Sequence, residues 1–402
     1  MRNEKMDIFA LLLKAKAAAA SDLHMVVSSP PLLRVRGRLE GIEGMSLLTA
    51  DEISEGFAQM TTLAERENFA THLELDFAYS LSGVGRLRCN AAQQRGAISL
   101  AIRLLPEEIP SIDDLGLPGI YKELALRPRG LLIVTGPTGS GKSTSQAAMI
   151  QHLNITESRH VVTIEDPIEY VHQSINCAIT QRQLGSDTHS FEAALKHVLR
   201  QDPNVILVGE MRDLETAAAV LTLAETGHLV LSTGHAPSAP QAIERIIDMF
   251  PLHERPLAQA RLASLLIAVL CQVLVPRADG SGRIAASEIM LANPPVRNLI
   301  REGKIYLLPN VIRTHREMGM ITLDEALVSL YLRQMISGES LMGFCNDRQE
   351  VEKLIGRLET NNGGPKNKNK VFQGPLDEVM GQASPEKGAF APFSMGTGGQ
   401  WQ

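Results

Sequence analysis

One stretch, Gly136-Pro137-Thr138-Gly139-Ser140-Gly141-Lys142-Ser143-Thr144, fits the pattern G-x-x-x-x-G-K-[ST]. An apolar run, Leu131–Thr135, precedes it and reads as a strand, and a helical pattern from Lys142 to about residue 153 follows it. Strand, glycine loop and helix in that order make a phosphate cradle. Glycines let the backbone curl so that successive N–H groups point at phosphate oxygens. The helix start adds a partial positive charge. Lys142 places an ammonium on the β- and γ-phosphates, and the Ser143 hydroxyl is a ligand for Mg²⁺. The implied ligand is a nucleoside triphosphate with its magnesium.

Hydrolysis also needs a group that orients or deprotonates water. Two acidic positions lie just beyond apolar strands. Glu165-Asp166 follows Val161–Ile164, and Glu210 follows Val205–Gly209. In open α/β sheets the carboxyl ends of strands border the ligand crevice. Glu210 is therefore the expected base or water-positioning group, and Glu165 is placed to hold magnesium through water or to assist. Ser143, Glu165 and Glu210 are the candidate metal ligands. Asp166, which precedes Pro167, serves a turn or helix cap as readily as chemistry. His228 and His235 flank the apolar run Leu229–Ser232. An imidazole here would sense the γ-phosphate or link it to a neighbouring subunit, while a packed structural histidine reads equally well.

The elements that must position these groups fall into two kinds of pattern. Residues 5–19 read as an amphipathic helix, His24–Val27 and Leu33–Leu39 as strands, and 49–70 as a helix. Strands follow near Asp76–Ser80, Gly85–Gln93 and Ile98–Leu104, which makes an antiparallel α+β unit over residues 1–104. Leu105–Pro118 carries three prolines and loses periodicity, as a linker does. From Leu131 continuous apolar runs alternate with helical stretches, at Leu131–Thr135, His160–Ile164, Val205–Val208 and His228–Ser232. That is the grammar of a parallel sheet covered on both faces. Past residue 255 the pattern reads as mostly helical to about Leu358. Residues 119–360 thus form a second, α/β domain. The last stretch, 361–402, holds eight Gly and four Pro in 42 residues and reads as a disordered tail.

Composition narrows the classes further. Lys plus Arg is 39 and Asp plus Glu is 45, a net charge of −6, and aromatic residues are only 4%. Neither favours wrapping nucleic acid or stacking single-stranded bases. The four cysteines, Cys89, Cys177, Cys271 and Cys345, are far apart, so reduced thiols in a cytosolic protein are expected rather than zinc or disulfides. The longest apolar stretch, Leu262–Val275, has 14 residues and is too short to span a bilayer, which takes about 20. Lys14 and Lys16 interrupt the apolar start of the chain, against a signal peptide.

Taken together, GPTGSGKST, VTIEDPIEYVHQ (162–173), RQDPNVILVGEMRDLETA (200–217) and AETGHLVLSTGHA (224–236) resemble the Walker A, Asp, Walker B and His boxes of the secretion ATPase superfamily. ASDLHM (20–25), GRLRCNAAQQRG (85–96), RIIDMFP (245–251) and NPPVRNLIREGK (293–304) extend the resemblance to the type IV pilus retraction, or twitching motility, ATPases of the PilT family, over about residues 5–358. The resemblance implies a RecA-like P-loop ATPase domain behind an N-terminal α+β PAS-like domain. It implies a homo-hexameric motor in which hydrolysis turns one domain against the other at the 105–118 linker and so drives pilus retraction. It implies that N-terminal arginines reach the nucleotide, with Arg88, Arg95 and Arg103 the matching positions. The implied partners are an inner-membrane, PilC-like platform protein and other pilus motor ATPases, at the cytoplasmic face of the inner membrane. No nucleic acid is involved, and the membrane is approached only through a partner.

Assembly and type II secretion ATPases, the nearest alternative, usually carry an extra N-terminal domain and a tetracysteine zinc element, neither of which is expected here. PVRNLIREGK is similar to the AIRNLIRE signature of retraction, which the accessory ATPase PilU typically lacks. Pro295 and Val296 stand where Ala and Ile are usual. Gly234 and Ala236 also depart from the more usual Thr-Leu-His-Thr, which keeps an accessory ring subunit with weak hydrolysis as a second alternative.

Overall fold

The computed structural model describes residues 7–361 other than Arg36 and Glu107. The expected tail lies outside the described residues from 362 onward. Two sheets organise the chain.

The first sheet is built from β1 (Asp22–Met25), β2 (Leu32–Val35), β3 (Arg38–Gly41), β4 (Glu74–Leu81), β5 (Gly85–Gln94) and β6 (Ala97–Leu104). Their order is β3-β2-β1-β6-β5-β4, antiparallel throughout. The strand expected over Leu33–Leu39 is a hairpin instead. Val35 pairs with Arg38, and the chain reverses at Gly37, whose φ of 85° is open to glycine. The helix expected over 49–70 is two helices, Ala50–Met60 and Leu63–His72. Each opens with its own capping box, Thr49 with Glu52 and Thr62 with Glu65. The second box ends one helix and starts another, because its threonine needs extended backbone. The helices lay Ile53, Phe57 and Phe69 on Phe77, Leu87 and Ile102 of the sheet. Phe57 meets Phe69 and Phe77 at ring centroid distances of 5.0 and 6.1 Å, and each such buried ring contributes about 1.5–3 kcal/mol.

The second sheet is built from β7 (Gly130–Thr135), β8 (His160–Glu165), β9 (Ala178–Gln183), β10 (Val205–Val208), β11 (Leu229–Thr233), β12 (Leu266–Pro276) and β13 (Arg283–Leu291). Its order is β13-β12-β7-β11-β10-β8-β9. β9, β8, β10 and β11 run parallel. Every residue of β7, β10 and β11 is buried, which is why they read as unbroken apolar runs. Within the stretch past residue 255 that reads as mostly helical, β12 and β13 are two long strands. They pair antiparallel over their full length, Ala268 with Leu291 to Pro276 with Arg283. The run at 262–275 lacks two-residue alternation because most of β12 is buried, so periodicity could not separate it from a buried helix.

The chain also divides into two compact units. One takes in the chain up to Pro110, Pro128–Ile133 and Lys142–Gly234. The other takes in Ser111–Arg127, Val134–Gly141 and the chain from His235. In the second unit the helix Arg255–Leu265 runs directly into β12. Arg297, from the helix Pro294–Arg301, closes that junction. Its guanidinium donates to the carbonyls of Ala263, Ser264, Leu266 and Ala292 at 2.6–2.8 Å. Asn293 caps the same helix through Val296 N at 3.0 Å, with Pro294 and Pro295 in its first turn, where proline's missing N–H is harmless. Among the described residues no helix is long and apolar enough to cross a membrane.

Candidate functional site

β7 delivers the chain to Gly136, and the helix Lys142–Thr156 begins as the glycine loop ends. Gly136, Gly139 and Gly141 have φ of 142°, 78° and 85°, so the loop takes a path that side-chain-bearing residues rarely follow. Pro137, Thr138 and Gly139 are exposed at its tip, while Gly136, Ser140 and Lys142 are buried. A Cβ on Gly136 would land on the carbonyl oxygen of Gln272. Ser140 is 3% exposed, and its hydroxyl has no protein partner. Ser143 and Thr144 occupy the first turn of the helix and are half-buried. The Thr144 hydroxyl meets the Tyr170 hydroxyl at 2.9 Å.

Glu165 is the last residue of β8, and Glu210 follows β10 after Gly209. Ile164 pairs with Val208 in parallel register, so the two acids leave the sheet at the same edge on neighbouring strands, about 4.8 Å apart laterally. The edge is stitched shut. Gly209 N donates to Ile164 O at 2.8 Å, Thr233 Oγ1 donates to Gly209 O at 2.5 Å, and Met211 N donates to Thr233 O at 3.2 Å. A Cβ on Gly209 would stand 3.2 Å from Ile164 O, close enough that this part of the edge would have to give. Arg212 Nε donates to Glu210 Oε2 at 2.7 Å.

Burial pushes the Glu165 carboxyl above its ordinary range, against the hydrogen bonds that Thr163 and Gln181 donate to it. Those bonds are 2.6 Å from Thr163 Oγ1 and 3.1 Å from Gln181 Nε2. Gln181 is fully used. Its Nε2 also donates to Tyr170 O at 2.9 Å, and its Oε1 accepts from His172 N at 2.8 Å. Tyr170 and Gln181 thus join the start of the P-loop helix to Glu165. Sequence reasoning did not single them out. Tyr170 lies inside the quoted Asp box, whereas nothing in the sequence marks Gln181.

The two histidines part company. His235 follows the carboxyl end of β11, and its carbonyl accepts from Arg245 at 3.4 Å. Its neighbour Ala236 is locked backbone-first. Ala236 N donates to Thr135 Oγ1 at 2.8 Å, and Thr135 Oγ1 donates back to Ala236 O at 2.9 Å. His228 lies at the opposite edge of the sheet from His235. It precedes β11, and its carbonyl accepts from Gly130 N, at the amino ends of the strands, about 17 Å of strand from the P-loop. Its ring instead sits 3.1 Å from Leu223 O at a helix end.

The three arginines are not gathered either. Arg88 and Arg103 are cross-strand partners on β5 and β6. Arg95 lies in the turn at the far end of that hairpin, seven residues beyond Arg88 and about 24 Å away. Arg103 donates to Asp22 at 2.9 Å. Burial alone would raise Asp22, but hydrogen bonds from Ser21 and Arg103 outweigh it and hold the carboxyl low. The arginine that reaches the second sheet is Arg86, two residues before Arg88, whose Nη2 donates to Gln183 Oε1 at 2.8 Å.

A glycine loop between a buried strand and a helix that opens with Lys-Ser, in a chain whose parallel strands β8 and β10 lead into carboxylates, defines a P-loop ATPase. Residues 87–325 match the family of Type II/IV secretion system proteins. The chain is 42% identical to the type IV pilus retraction ATPase PilT of Pseudomonas aeruginosa, across 83% of this chain and 97% of that one. It is 40% identical to the type IV pilus ATPase PilU of the same organism, across 87% and 91%. Among solved structures, the pilus retraction motor PilT with bound ADP superposes with a TM-score of 0.82 at 40% identity, covering 87% of this chain and 99% of that one. The chain belongs to the PilT family of type IV pilus retraction ATPases.

Proposed function

We propose that this chain hydrolyses ATP as a ring of six copies and powers type IV pilus retraction, and with it twitching motility. The observation that carries the reading is the glycine loop that follows β7 and opens the helix Lys142–Thr156, in a fold that matches an ADP-bound retraction motor over nearly all of that motor's length. In this reading Gly136–Gly141 and Lys142 bind the triphosphate. Glu210 orients or deprotonates the attacking water once Arg212 releases it. Glu165, held by Thr163 and Gln181, keeps a fixed place beside it. His235 senses nucleotide state from the end of β11. Arg88 and Arg103, side by side, approach the phosphates, and Arg95 takes no part. Residues 1–104 form the PAS-like domain and 119–360 the ATPase domain, and the 105–118 segment is the hinge about which hydrolysis turns them. The ring acts on a PilC-like platform protein at the cytoplasmic face of the inner membrane.

Magnesium fits the donors present. The Ser143 hydroxyl and the Glu165 and Glu210 carboxylates are hard oxygen groups, and Mg²⁺ is typically held by one or two such ligands with phosphates and water. When bound, it would neutralise charge developing on the phosphoryl oxygens. Steady-state turnover of Glu210→Gln tests the central role: a loss of about 10²- to 10⁴-fold is expected for a general base, and unchanged turnover refutes it. A deletion strain separates the direction of work, since loss of a retraction motor leaves surface pili abundant and loss of an assembly motor leaves cells bald. The near-equal identity to PilU supports a second reading, an accessory subunit with weak hydrolysis. Negligible wild-type turnover with intact ATP binding would favour it.

A further inference from the structure

The P-loop rests on one residue of β12. Gln272 is 1% exposed. Its side-chain Nε2 donates to Ser140 O at 2.7 Å. Its own backbone carbonyl occupies the space that a side chain on Gly136 would need. Gln272 therefore touches both ends of the glycine loop, near its first residue with backbone and near its last with side chain. Leu274, on the same face of β12, completes the floor. A Cβ on Gly141 would meet Gln272 Nε2 at 3.3 Å and Leu274 Cδ1 at 3.5 Å.

The consequence follows from peptide geometry. The Ser140–Gly141 bond is trans, so its C=O and N–H point in opposite directions. Tying Ser140 O to Gln272 turns the Gly141 N–H away from β12. Gln272 Oε1 and Ser140 Oγ are both buried without a protein partner. An apolar residue of the same size would remove the Oε1 orphan but leave Ser140 O without a donor, so the bond to Ser140 O, not packing, is what calls for glutamine here. We propose that Gln272 is a positioning residue for the ATPase reaction, holding the Ser140–Gly141 peptide in the orientation that presents its N–H to phosphate. This rests on the reading of residues 136–144 as the site of the ATP phosphates.

The test compares wild type, Gln272→Leu and Gln272→Glu in titrations with a fluorescent ATP analogue and in steady-state ATPase assays. Gln272→Leu keeps the volume and removes the orphan Oε1 but leaves Ser140 O without its donor, so its unfolding midpoint falls below wild type while the chain still folds. Its affinity for ATP falls about 10- to 100-fold, as the loss of one hydrogen bond to an oriented group implies, and the loss shows in KM rather than kcat. Gln272→Glu carries a pH signature. As a carboxylate it repels Ser140 O, while protonated it can donate again. Its affinity relative to wild type at the same pH therefore recovers as pH falls. Wild-type affinity in Gln272→Leu overturns the proposal, as does a Gln272→Glu ratio that does not change with pH. If Gln272→Leu misfolds, the pH ratio of Gln272→Glu decides alone. Failure of the wild type to bind ATP would overturn the phosphate-site reading as well, so the two failures are told apart by the wild-type titration.

Discussion

His172 makes this ATPase acid-sensitive through the loop that serves its site. Burial draws the imidazole down from its ordinary 6.5 to about 4, and its Nδ1 is buried without a protein partner. Between those values the unfolded chain binds the proton and the folded chain does not. Stability is therefore full above about pH 6.5 and is lost as pH falls toward 4. The gap of about 2.5 pH units is worth about 3 kcal/mol when fully expressed, and about 2 kcal/mol at pH 5. The strain falls on a working segment, because His172 N and Tyr170 O both bond Gln181, which also donates to Glu165. Urea unfolding of wild type and His172→Phe at about pH 8 and about pH 5 measures it. The acid-induced loss should be about 2 kcal/mol smaller in the variant, since only the titration of this ring has been removed. Stability curves that stay parallel across this range would refute the assignment.

Two further perturbations probe the frame of the site. Arg297→Lys keeps a positive charge but cannot reach four carbonyls at once, so it should lower unfolding free energy by about 2–4 kcal/mol in urea titrations; an unchanged midpoint would show that the fork is dispensable. Gly136→Ala places a methyl against Gln272 O on a backbone of φ 142°, so ADP binding should be abolished in a titration while far-ultraviolet circular dichroism still reports a folded chain.

The phosphate loop was legible because its chemistry is local. Glycine spacing, the preceding apolar strand and the Lys-Ser pair all sit within one short segment, and the structure places the segment between β7 and the helix Lys142–Thr156 as that order requires. The two helices at Ala50–Met60 and Leu63–His72 were also written locally, in the repeated Thr-x-x-Glu boxes, although the apolar periodicity running across them suggested one. β12 was hidden for the opposite reason. Its core-facing and helix-facing residues are both apolar, so nothing in the run of 266–275 alternates. Gln272 is a polar residue inside that apolar run, and only the fold shows that it points at the loop more than a hundred residues earlier in the chain. Gln181 and Arg86 were illegible in the same way, since each acts by lying opposite a residue distant in sequence.

Chain direction would have separated the two histidines without a structure. In a parallel sheet every strand enters at one edge and leaves at the other, and the phosphate loop lies where β7 leaves. A residue before an apolar run must therefore lie at the entry edge, and a residue after it at the exit edge. Glu165 ends its strand and Glu210 and His235 follow theirs, whereas His228 precedes β11, and its carbonyl accepts from Gly130 N at the start of β7. The same reasoning sorts the arginines. Positions on paired strands of a hairpin are close only when their register matches, as Arg88 and Arg103 do. A residue in the connecting turn stands off by the length of the strand, as Arg95 does from Arg88.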